Sequence, residues 1–494
     1  MNPKSPFILL PCHAVAFCAG ALLITSSRPA FAQGSLTPPG APAPTMKTLD
    51  QVEPRKEINA INTPGNASNL FIISSPGSYY LSGNLVGVAG KSGIQIAAES
   101  VTLDLNGFQI IGGGSGIGIT VSGLQRNLTI RNGTVRNWPV AGISAVTGVY
   151  SIYEGLRLYK NGTGSTGFDS GILLGAGSIL RGCTSAYNTG NGFNSSTFSG
   201  GGEAGSGVIV ENCFALGNGG IGFQFQRAVL TNCRAYNNTG GGITCLDGGS
   251  VLLNCNANAN AAGIGISAGP GSTLTNCTAF NNSGSHGIFA DAGSTLTNCT
   301  ARQNTVQYGI HVEARSTVMN CSASDNTEAV ADSYGIHSPG ETTIRGCTVS
   351  GNLNTNGTPT SDSGVGIHAG SGSTVQDCTV TSNRGDGIQV TNDSRVIGNT
   401  CDSNGLGDGA GIHSSSTDNR IEGNTVSDND RGIQVDSSGT LVIKNSASGN
   451  SSNFEIAANN KVGVIVNAPN SLAISGATGG AGVGTSEPWA NISF

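Results

Sequence analysis

The chain has 494 residues and a formal net charge of −6, and it contains 77 Gly and 13 Cys. Charged residues make up 11% and hydrophobic residues 37%, below the roughly 25% and 45–50% of ordinary globular domains. The excess of Asp+Glu (29) over Lys+Arg (23) argues against a nucleic-acid-binding protein, and the low net charge argues against intrinsic disorder.

Residues 1–32 have the pattern of a secretory signal peptide. Lys4 precedes a mostly apolar stretch over residues 7–23, and Ala30-Phe31-Ala32 is a small-x-small cleavage site before Gln33. A membrane anchor is the alternative, but the apolar stretch is short for a span, and no later segment is apolar enough. We therefore expect a secreted, periplasmic or cell-surface chain without a membrane span.

The mature chain divides into four segments. Residues 33–46 are a Pro-rich linker. Residues 47–92, which include TLDQVEPR and PGSYYLSGNL, are predicted to form an N-terminal cap. Residues 93–450 carry sequence repeats, and residues 451–494, where the repeats stop, are predicted to form a C-terminal cap. Solenoids need such caps because their open ends expose strand edges and apolar core.

Near-periodic cysteines mark the repeats. Eleven cysteines remain after signal-peptide cleavage, and the four steps from Cys233 to Cys321 are 22 residues each. Ten of the eleven belong to this series: Cys183, Cys213, Cys233, Cys255, Cys277, Cys299, Cys321, Cys347, Cys378 and Cys401. Periods of this length are typical of solenoids. Neighbouring strands hold stacked Cβ atoms too far apart for disulfides, so we predict buried, reduced thiols. A thiolate metal site would need clustered CxxC pairs, which the sequence lacks.

Asparagine and Gly-Ile pairs recur in the same rhythm. The regular Asn positions are Asn188, Asn218, Asn238, Asn260, Asn282, Asn304, Asn326, Asn352, Asn383, Asn404, Asn429 and Asn450. The Gly-Ile pairs start at Gly93, Gly116, Gly142, Gly171, Gly220, Gly242, Gly263, Gly287, Gly309, Gly335, Gly366, Gly387, Gly411 and Gly432. At Asn399, Asn424 and Asn445 the cysteine position is occupied by Asn. Stacked Asn side chains can share amide hydrogen bonds, so an Asn ladder is predicted.

Short alternating stretches such as GIHV and STLTNC predict three strands in each coil of 20–30 residues. The fold class is therefore all-β: a single-stranded parallel β-helix of roughly fourteen coils with caps at both ends. The coils resemble the repeats of the right-handed, pectate-lyase-like β-helix superfamily. The segments TLDQVEPR, PGSYYLSGNL, VTLDLNGF and GVGTSEPWANISF resemble a group of secreted bacterial β-helix proteins without an assigned function. Right-handedness is implied by this resemblance, which leaves function open because the superfamily hosts both catalytic and non-catalytic members.

One exposed sheet face is predicted to carry polar side chains. The resemblance implies sugar binding along such a face. The residue after Ile in each Gly-Ile strand should point outward. Reading that position gives Phe289, His311, His337, His368, Gln389, His413 and Gln434, and 16 of the 29 Asp+Glu fall between residues 301 and 450. The candidate ligand-binding residues are Tyr308, His311, Glu313, Tyr334, His337, His368, Asp386 and His413.

Two interpretations of this row stay open. Stacked imidazoles beside carboxylates could bind a saccharide, act as acid and base, or hold a metal. Alternatively, duplicated coils simply copy a tolerated exposed residue, and we prefer this structural interpretation. Histidines stacked in register would repel one another when charged, so the row is predicted to have lowered pKa values.

Catalytic residues are not assigned. The sequence has no Asp-Asp pair and no Asp-Pro-His motif, which polygalacturonase-like and epimerase-like sites would show. No metal site is assigned, although carboxylates such as Asp386, Asp402 and Asp408 keep Ca²⁺ as an alternative. The leading hypothesis is a monomeric, exported protein that binds polysaccharide or cell-envelope glycan, or serves as surface structure. The alternatives are a polysaccharide lyase, hydrolase or epimerase, and a periplasmic metal-delivery accessory protein.

Overall fold

The computed structural model describes residues 54–164, 169–195, 206–328, 332–355, 363–406, 408–467 and 487–494. The chain divides into two units, Met1–Val52 and Glu53–Phe494. The predicted signal peptide and linker lie outside the described residues, as do residues 468–486 of the predicted C-terminal cap. The division into linker, caps and repeats stays a prediction.

The described residues form parallel strands and no helix, which confirms the predicted parallel β-helix. One sheet, here called the Gly-Ile sheet, contains one strand from each coil. Its strands are Asn69–Ile73, Ser92–Ile96, Ile117–Val121, Ala141–Ala145, Ile172–Leu174, Phe193–Asn194, Ile221–Phe225, Gly241–Cys245, Ile264–Ala268, His286–Ala290, Tyr308–Val312, Ser333–Gly340, Ser363–Ser371, Ile388–Val390, Ala410–Ser414, Arg431–Val435 and Ser452–Ile456.

The second sheet consists of two parallel ladders joined by the long strands Thr129–Arg136 and Ile152–Tyr159. The first ladder contains Lys56–Glu57, Gly77–Tyr80, Val101–Asp104, Ile179–Arg181, Ser206–Glu211, Arg227–Thr231, Val251–Leu253, Thr273–Thr275, Thr295–Thr297, Thr317–Met319, Thr343–Arg345, Thr374–Gln376, Arg395–Ile397, Arg420–Glu422, Leu441–Ile443 and Lys461–Val462. The second contains Leu85–Val86, Gln109–Ile111, Thr184–Ala186, Phe214–Leu216, Arg234–Tyr236, Asn256–Asn258, Thr278–Phe280, Thr300–Arg302, Ser322–Ser324, Thr348–Ser350, Thr379–Thr381, Thr400–Asp402, Thr425–Ser427, Ser446–Ser448, Ile465–Asn467 and Asn491–Ser493. Two small pairs are Gln125–Arg126 with Gly148–Val149, and Thr327–Glu328 with Leu353–Asn354.

The Gly-Ile sheet has 17 strands within the described residues, where roughly fourteen coils are predicted. The additional strands are Asn69–Ile73, Phe193–Asn194 and Ser452–Ile456, which lack a Gly-Ile pair and so escape a search for that motif. Three predicted pairs are also two residues out of register, because Gly116, Gly220 and Gly263 each precede a second Gly-apolar pair that aligns with the neighbouring coils.

A column of apolar side chains fills the core beneath this sheet. Ile288, Ile310 and Ile336 stand in register on successive coils and are fully buried. The preceding glycine is required by close packing: a Cβ at Gly309 would lie 2.6 Å from both the Asn326 side-chain amide nitrogen and the Gly335 carbonyl oxygen. The glycine of each Gly-Ile pair therefore allows the sheet to pack closely against the turn that carries the Asn ladder.

The predicted Asn ladder is present, and all its members except the last, Asn450, are buried. It runs from Asn161 to Asn450, with each side-chain nitrogen donating to the side-chain oxygen of the next Asn. At Asn282, for example, Nδ2 donates to Asn304 Oδ1 and to Ala257 O, both at 3.0 Å. Buried amides would be costly without these partners, so the ladder ties each coil to the next.

The eleven cysteines within the described residues are buried and free. Nine of them, from Cys183 to Cys378, stack in the turn between the two ladders of the second sheet, where Cys299 N donates to Cys321 Sγ at 3.4 Å, while Cys245 and Cys401 lie on strands. In the coils after Cys378, asparagine replaces cysteine at this position of the turn. Cys378 N donates to Asn399 Oδ1 at 2.9 Å, and Asn399 Nδ2 donates to Asn424 Oδ1 at 3.0 Å. The thiols therefore fill core space as small apolar groups.

Candidate functional site

The outward residue after each Ile forms one continuous column on the Gly-Ile sheet, here called the central column. In strand order, it consists of Ser267, Phe289, His311, His337, His368, Gln389, His413, Gln434 and Glu455. The histidines predicted to be stacked are therefore in register, with Gln389 interrupting the row. Because neighbouring strands lie roughly 4.8 Å apart, the seven steps from Phe289 to Glu455 extend over about 34 Å.

A second outward column runs beside it and contains His286, Tyr308 and Tyr334 in register. In the strands His286–Ala290 and Tyr308–Val312 the Gly-Ile dipeptide is buried, while the residues on either side of it are partly exposed. Seven rings from the two columns pack together, and we call them the ring cluster: His286, Phe289, Tyr308, His311, Tyr334, His337 and His368.

The rings stack along the sheet as well as across it. The Tyr308 and Tyr334 rings are nearly parallel, with centroids 5.5 Å apart, and the His337 and His368 rings are parallel at 4.8 Å. Tyr308 also contacts His311, with centroids 4.6 Å apart. These separations are those of favourable ring pairs, so the cluster is a rigid, largely apolar surface with polar ring edges.

Three of the four imidazoles of the ring cluster, those of His286, His311 and His337, are held neutral. Burial lowers the pKa of His286 and of His311 to about 4, and the charge of His311 adds to the effect on His286. Burial, followed by repulsion from His368 and His311, lowers the pKa of His337 to about 3. The predicted direction is therefore found for His311 and His337, although burial outweighs the repulsion on which the prediction rests.

One contact shows directly why two charged rings would be unfavourable. His286 Nε2 lies 3.1 Å from His311 Nδ1, and His286 Nδ1 lies 2.7 Å from Ser285 Oγ. A hydrogen bond between two ring nitrogens needs one donor and one acceptor, so at least one imidazole must be neutral. Glu313 Oε1 lies 3.4 Å from His311 Nε2, too long for a well-formed hydrogen bond, and leaves the ring neutral.

His413 has the opposite surroundings. Its Nδ1 lies 2.6 Å from Asp386 Oδ2 and its Nε2 lies 2.8 Å from Asp436 Oδ2, so the ring is held between two carboxylates. The Asp386 side chain is fully buried and also accepts a hydrogen bond from Ala410 N at 2.6 Å. We call Asp386, His413 and Asp436 the Asp-His-Asp triad.

The triad holds His413 charged. Burial by itself lowers the pKa of His413, but the hydrogen bonds and charges of Asp386 and then Asp436 outweigh it and raise the pKa to about 9. The expectation of a lowered pKa along the whole row is therefore wrong for His413. Burial raises the pKa of Asp436, but hydrogen bonds from His413 and Gln434 outweigh it and lower that pKa.

Ion pairs extend the triad toward the next coils. Gln434 Nε2 donates to Asp436 Oδ1 at 2.8 Å and Arg431 Nη1 contacts Gln434 Oε1 at 3.4 Å. Arg431 also pairs with Asp408 at 2.9 Å and with Glu455 at 3.0 Å. This part of the face is therefore a closed network of opposite charges.

The structure brings the eight candidate residues to one face but divides them. Five belong to the ring cluster, and Glu313 follows its central strand. Asp386 and His413 belong to the triad. His286, Phe289 and Asp436, which are not among the candidates, complete the two groups. Asp436 follows the Gly-Ile strand of the coil after His413, so the sequence places it near the histidine row but does not pair it with His413.

No metal site can be assigned. Within the described ranges, no group of three or more His, Cys, Asp or Glu is arranged to hold a metal ion. The part of the chain that the structure describes also has no helix of the length and apolarity needed to cross a membrane.

Comparison with solved structures finds other β-helices. The A-module of the mannuronan C-5 epimerase AlgE4 of Azotobacter vinelandii is 14% identical, with 78% of this chain and 90% of that chain covered and a TM-score of 0.30. The periplasmic alginate epimerase AlgG is 11% identical, with 82% and 79% covered and a TM-score of 0.30. The alginate lyase AlyF-OU02 is 10% identical, with 80% and 84% covered and a TM-score of 0.27. Likeness at this level carries no information about activity.

No curated protein sequence matches this chain significantly. The family model described as "Right handed beta helix region" matches residues 118–279, 226–349 and 320–478, which together exceed half of the chain. These matches agree with the parallel coils and supply the handedness implied by the resemblance. The chain therefore belongs to the right-handed β-helix family.

Proposed function

We propose that the outward face of the Gly-Ile sheet binds polysaccharide. The observation that carries this proposal is the central column, an in-register row of rings and hydrogen-bonding side chains about 34 Å long. Gln389 and His413 are buried, so the row is open to solvent in two stretches, Phe289 to His368 and Gln434 to Glu455. The first stretch, about 14 Å long, suits several consecutive units of an extended polymer. A small ligand would instead favour an enclosed pocket.

The chemistry of the ring cluster supports the proposal. Sugar rings present apolar C–H faces and a rim of hydroxyl groups, and the cluster presents apolar ring surface with polar edges. Its imidazoles with lowered pKa are neutral at neutral pH, so each can both donate and accept a hydrogen bond. His337 Nδ1 is buried without a hydrogen-bond partner among the described residues, so a ligand hydroxyl could satisfy it only if a neighbouring ring moved aside.

A glycan array tests the proposal. The wild-type chain is expected to retain one class of polysaccharide, and His311→Ala/His337→Ala is expected to lose it. The matched control is Thr120→Ala/Ser144→Ala, which changes two outward residues of the same sheet several coils away from the central column and should retain binding. A wild-type chain that binds no glycan would contradict the proposal, as would equal losses in both variants.

A second candidate function, polysaccharide cleavage or epimerisation, is favoured by the triad. The Nε2–H of the charged His413 ring, which donates to the 43% exposed Asp436 side chain, would become a positioned proton donor once a substrate displaced that carboxylate. Acidic and neutral polysaccharides would be incubated with the chain while unsaturated uronates, new reducing ends and epimerised residues are measured. His413→Gln should abolish any activity and leave ring-cluster binding intact. No turnover on any polymer would leave binding as the function.

Export of the chain is a separate proposal that rests on residues 1–32. Cleavage after Ala32 is expected to leave Gln33 as the first residue of the mature chain. Mass spectrometry of the protein from the periplasm or medium of an expressing bacterium would check this. Recovery of uncleaved chain in the cytoplasm alone would contradict it.

A further inference from the structure

We infer that the polymer taken by this face carries amino groups and lacks carboxylates; this inference rests on the proposed function. The inference depends on two observations: some charged groups on the face are already paired within the protein, and others remain available to a ligand.

Acidic side chains outnumber basic ones around the central column. Described carboxylates on this face or at the ends of its strands, from the His286 coil onward, belong to Asp291, Glu313, Asp332, Asp386, Asp408, Asp430, Asp436 and Glu455. Described basic residues in the same positions are Arg384 and Arg431, with no lysine among them. The face is therefore net negative even when His413 carries its charge.

Arg431 and the charged His413 ring are already neutralised within the face, and Arg384 Nη1 donates to the Asn354 carbonyl oxygen. Arg431 is shared between Asp408 and Glu455. The charged His413 ring is held between Asp386 and Asp436. A polymer carboxylate that approached either cation would have to displace a protein carboxylate and would meet the repulsion of its neighbours. Desolvating an unpaired anion beside other anions is costly, so a polyuronate is disfavoured.

The carboxylates beside the ring cluster form fewer ion pairs within the protein than those around the triad. Glu313 has a side chain 38% exposed and reaches only the neutral His311 ring, at 3.4 Å. Asp291 occupies the equivalent position one coil earlier, because Ala290 and Val312 are paired in register. An ammonium group lying over Tyr308 or Tyr334 would be attracted by both ring faces and nearby carboxylates. Amino-sugar rings bring together the apolar surface and the charge that this arrangement recognises.

The test compares three oligosaccharides of equal length: a glucosamine oligomer, its N-acetylated counterpart and an oligogalacturonate. Binding would be measured by calorimetry at a mildly acidic pH at which the amino groups are protonated. We expect the glucosamine oligomer to bind about tenfold more tightly than the N-acetylated one, and the oligogalacturonate not to bind. Added salt should weaken only the glucosamine complex.

Two variants locate the effect. Asp291→Asn/Glu313→Gln should bring glucosamine binding down to the level of the N-acetylated oligomer without changing the latter. The control, Asp325→Asn/Asp377→Asn, removes the same charge from side chains that pair with Arg302 and Arg345 away from this face, and it should change neither. Oligogalacturonate binding equal to or tighter than glucosamine binding would overturn the inference while polysaccharide binding stands. Failure of every oligosaccharide to bind would overturn both.

Discussion

His337 and His413 occupy the same outward column of one sheet and follow the same Gly-Ile pair, yet their protonation is opposite. Burial among rings lowers the pKa of His337 to about 3, whereas two carboxylates raise that of His413 to about 9 despite burial. An imidazole removed from water is neutral unless an anion replaces the lost solvation. The ring cluster and the triad are therefore chemically different surfaces built from one repeated motif.

The sharpest way to break this contrast is to remove the buried carboxylate. Asp386→Ala leaves the His413 ring, whose side chain is only 7% exposed, without its inner partner. Losing one member of a buried ion pair costs about 3–5 kcal/mol, and we expect a decrease of that size in the free energy of unfolding at neutral pH. Urea denaturation would measure it.

Asp436→Ala is the matched control for this prediction. The Asp436 side chain is 43% exposed and its loss leaves the inner hydrogen bond of His413 in place. We expect a decrease of about 1 kcal/mol or less. Equal effects of the two substitutions would show that the buried carboxylate has no special role.

The triad also predicts a loss of stability at alkaline pH. The His413 pKa is raised from 6.5 to about 9, so its contribution is complete below about pH 6.5 and disappears as the pH rises through about 9. A shift of this size corresponds to roughly 3 kcal/mol. Unfolding free energies measured across this window should decline, and His413→Gln should flatten the decline. An unchanged profile in that variant would contradict the assignment.

The ring cluster predicts the opposite dependence on pH. The pKa values of His311 and His337 are lowered to about 4 and 3, so their contributions are complete above about pH 6.5 and disappear as the pH falls through those values. His337→Gln should reduce the acid loss by on the order of 1 kcal/mol, because the ring edges keep some contact with water. NMR titration of the imidazoles would check the assignment, and unshifted values would exclude the buried, neutral row.

The smallest expected effect concerns Glu313. Its side chain is 38% exposed and lies 3.4 Å from His311 Nε2, so solvent screens its charge. Glu313→Gln should lower the pKa of His311 by only a few tenths, measured by the same titration. A fall of about one pKa unit would mean that the two environments differ less than the geometry indicates.

Much of the fold could be predicted because each coil repeats the same local requirements. The spacing of Cys233 to Cys321 predicts the coil length, and Asn282 and its equivalents predict the ladder. The sequence does not predict the strand Phe193–Asn194, because it lacks the Gly-Ile pair, and only its pairing with neighbouring coils reveals it. The column of His311, His337 and His368 was predictable because the Gly-Ile-His motif recurs at the same place in each of these coils.

The division of that column was not predictable. Asp386 and Asp436 lie 27 residues before and 23 residues after His413, and no local motif links them. Whether a given imidazole meets carboxylates or tyrosine rings depends on which side chains the neighbouring coils place above and below it.

The sequence by itself determined the solenoid, its stacked asparagines and its buried thiols, because in-register stacking turns a periodic sequence into columns of like residues. Only the tertiary structure decided that one end of the histidine row is a neutral ring surface and the other a charged triad. That decision depends on burial and on charges separated along the chain, and both arise only once the coils are stacked.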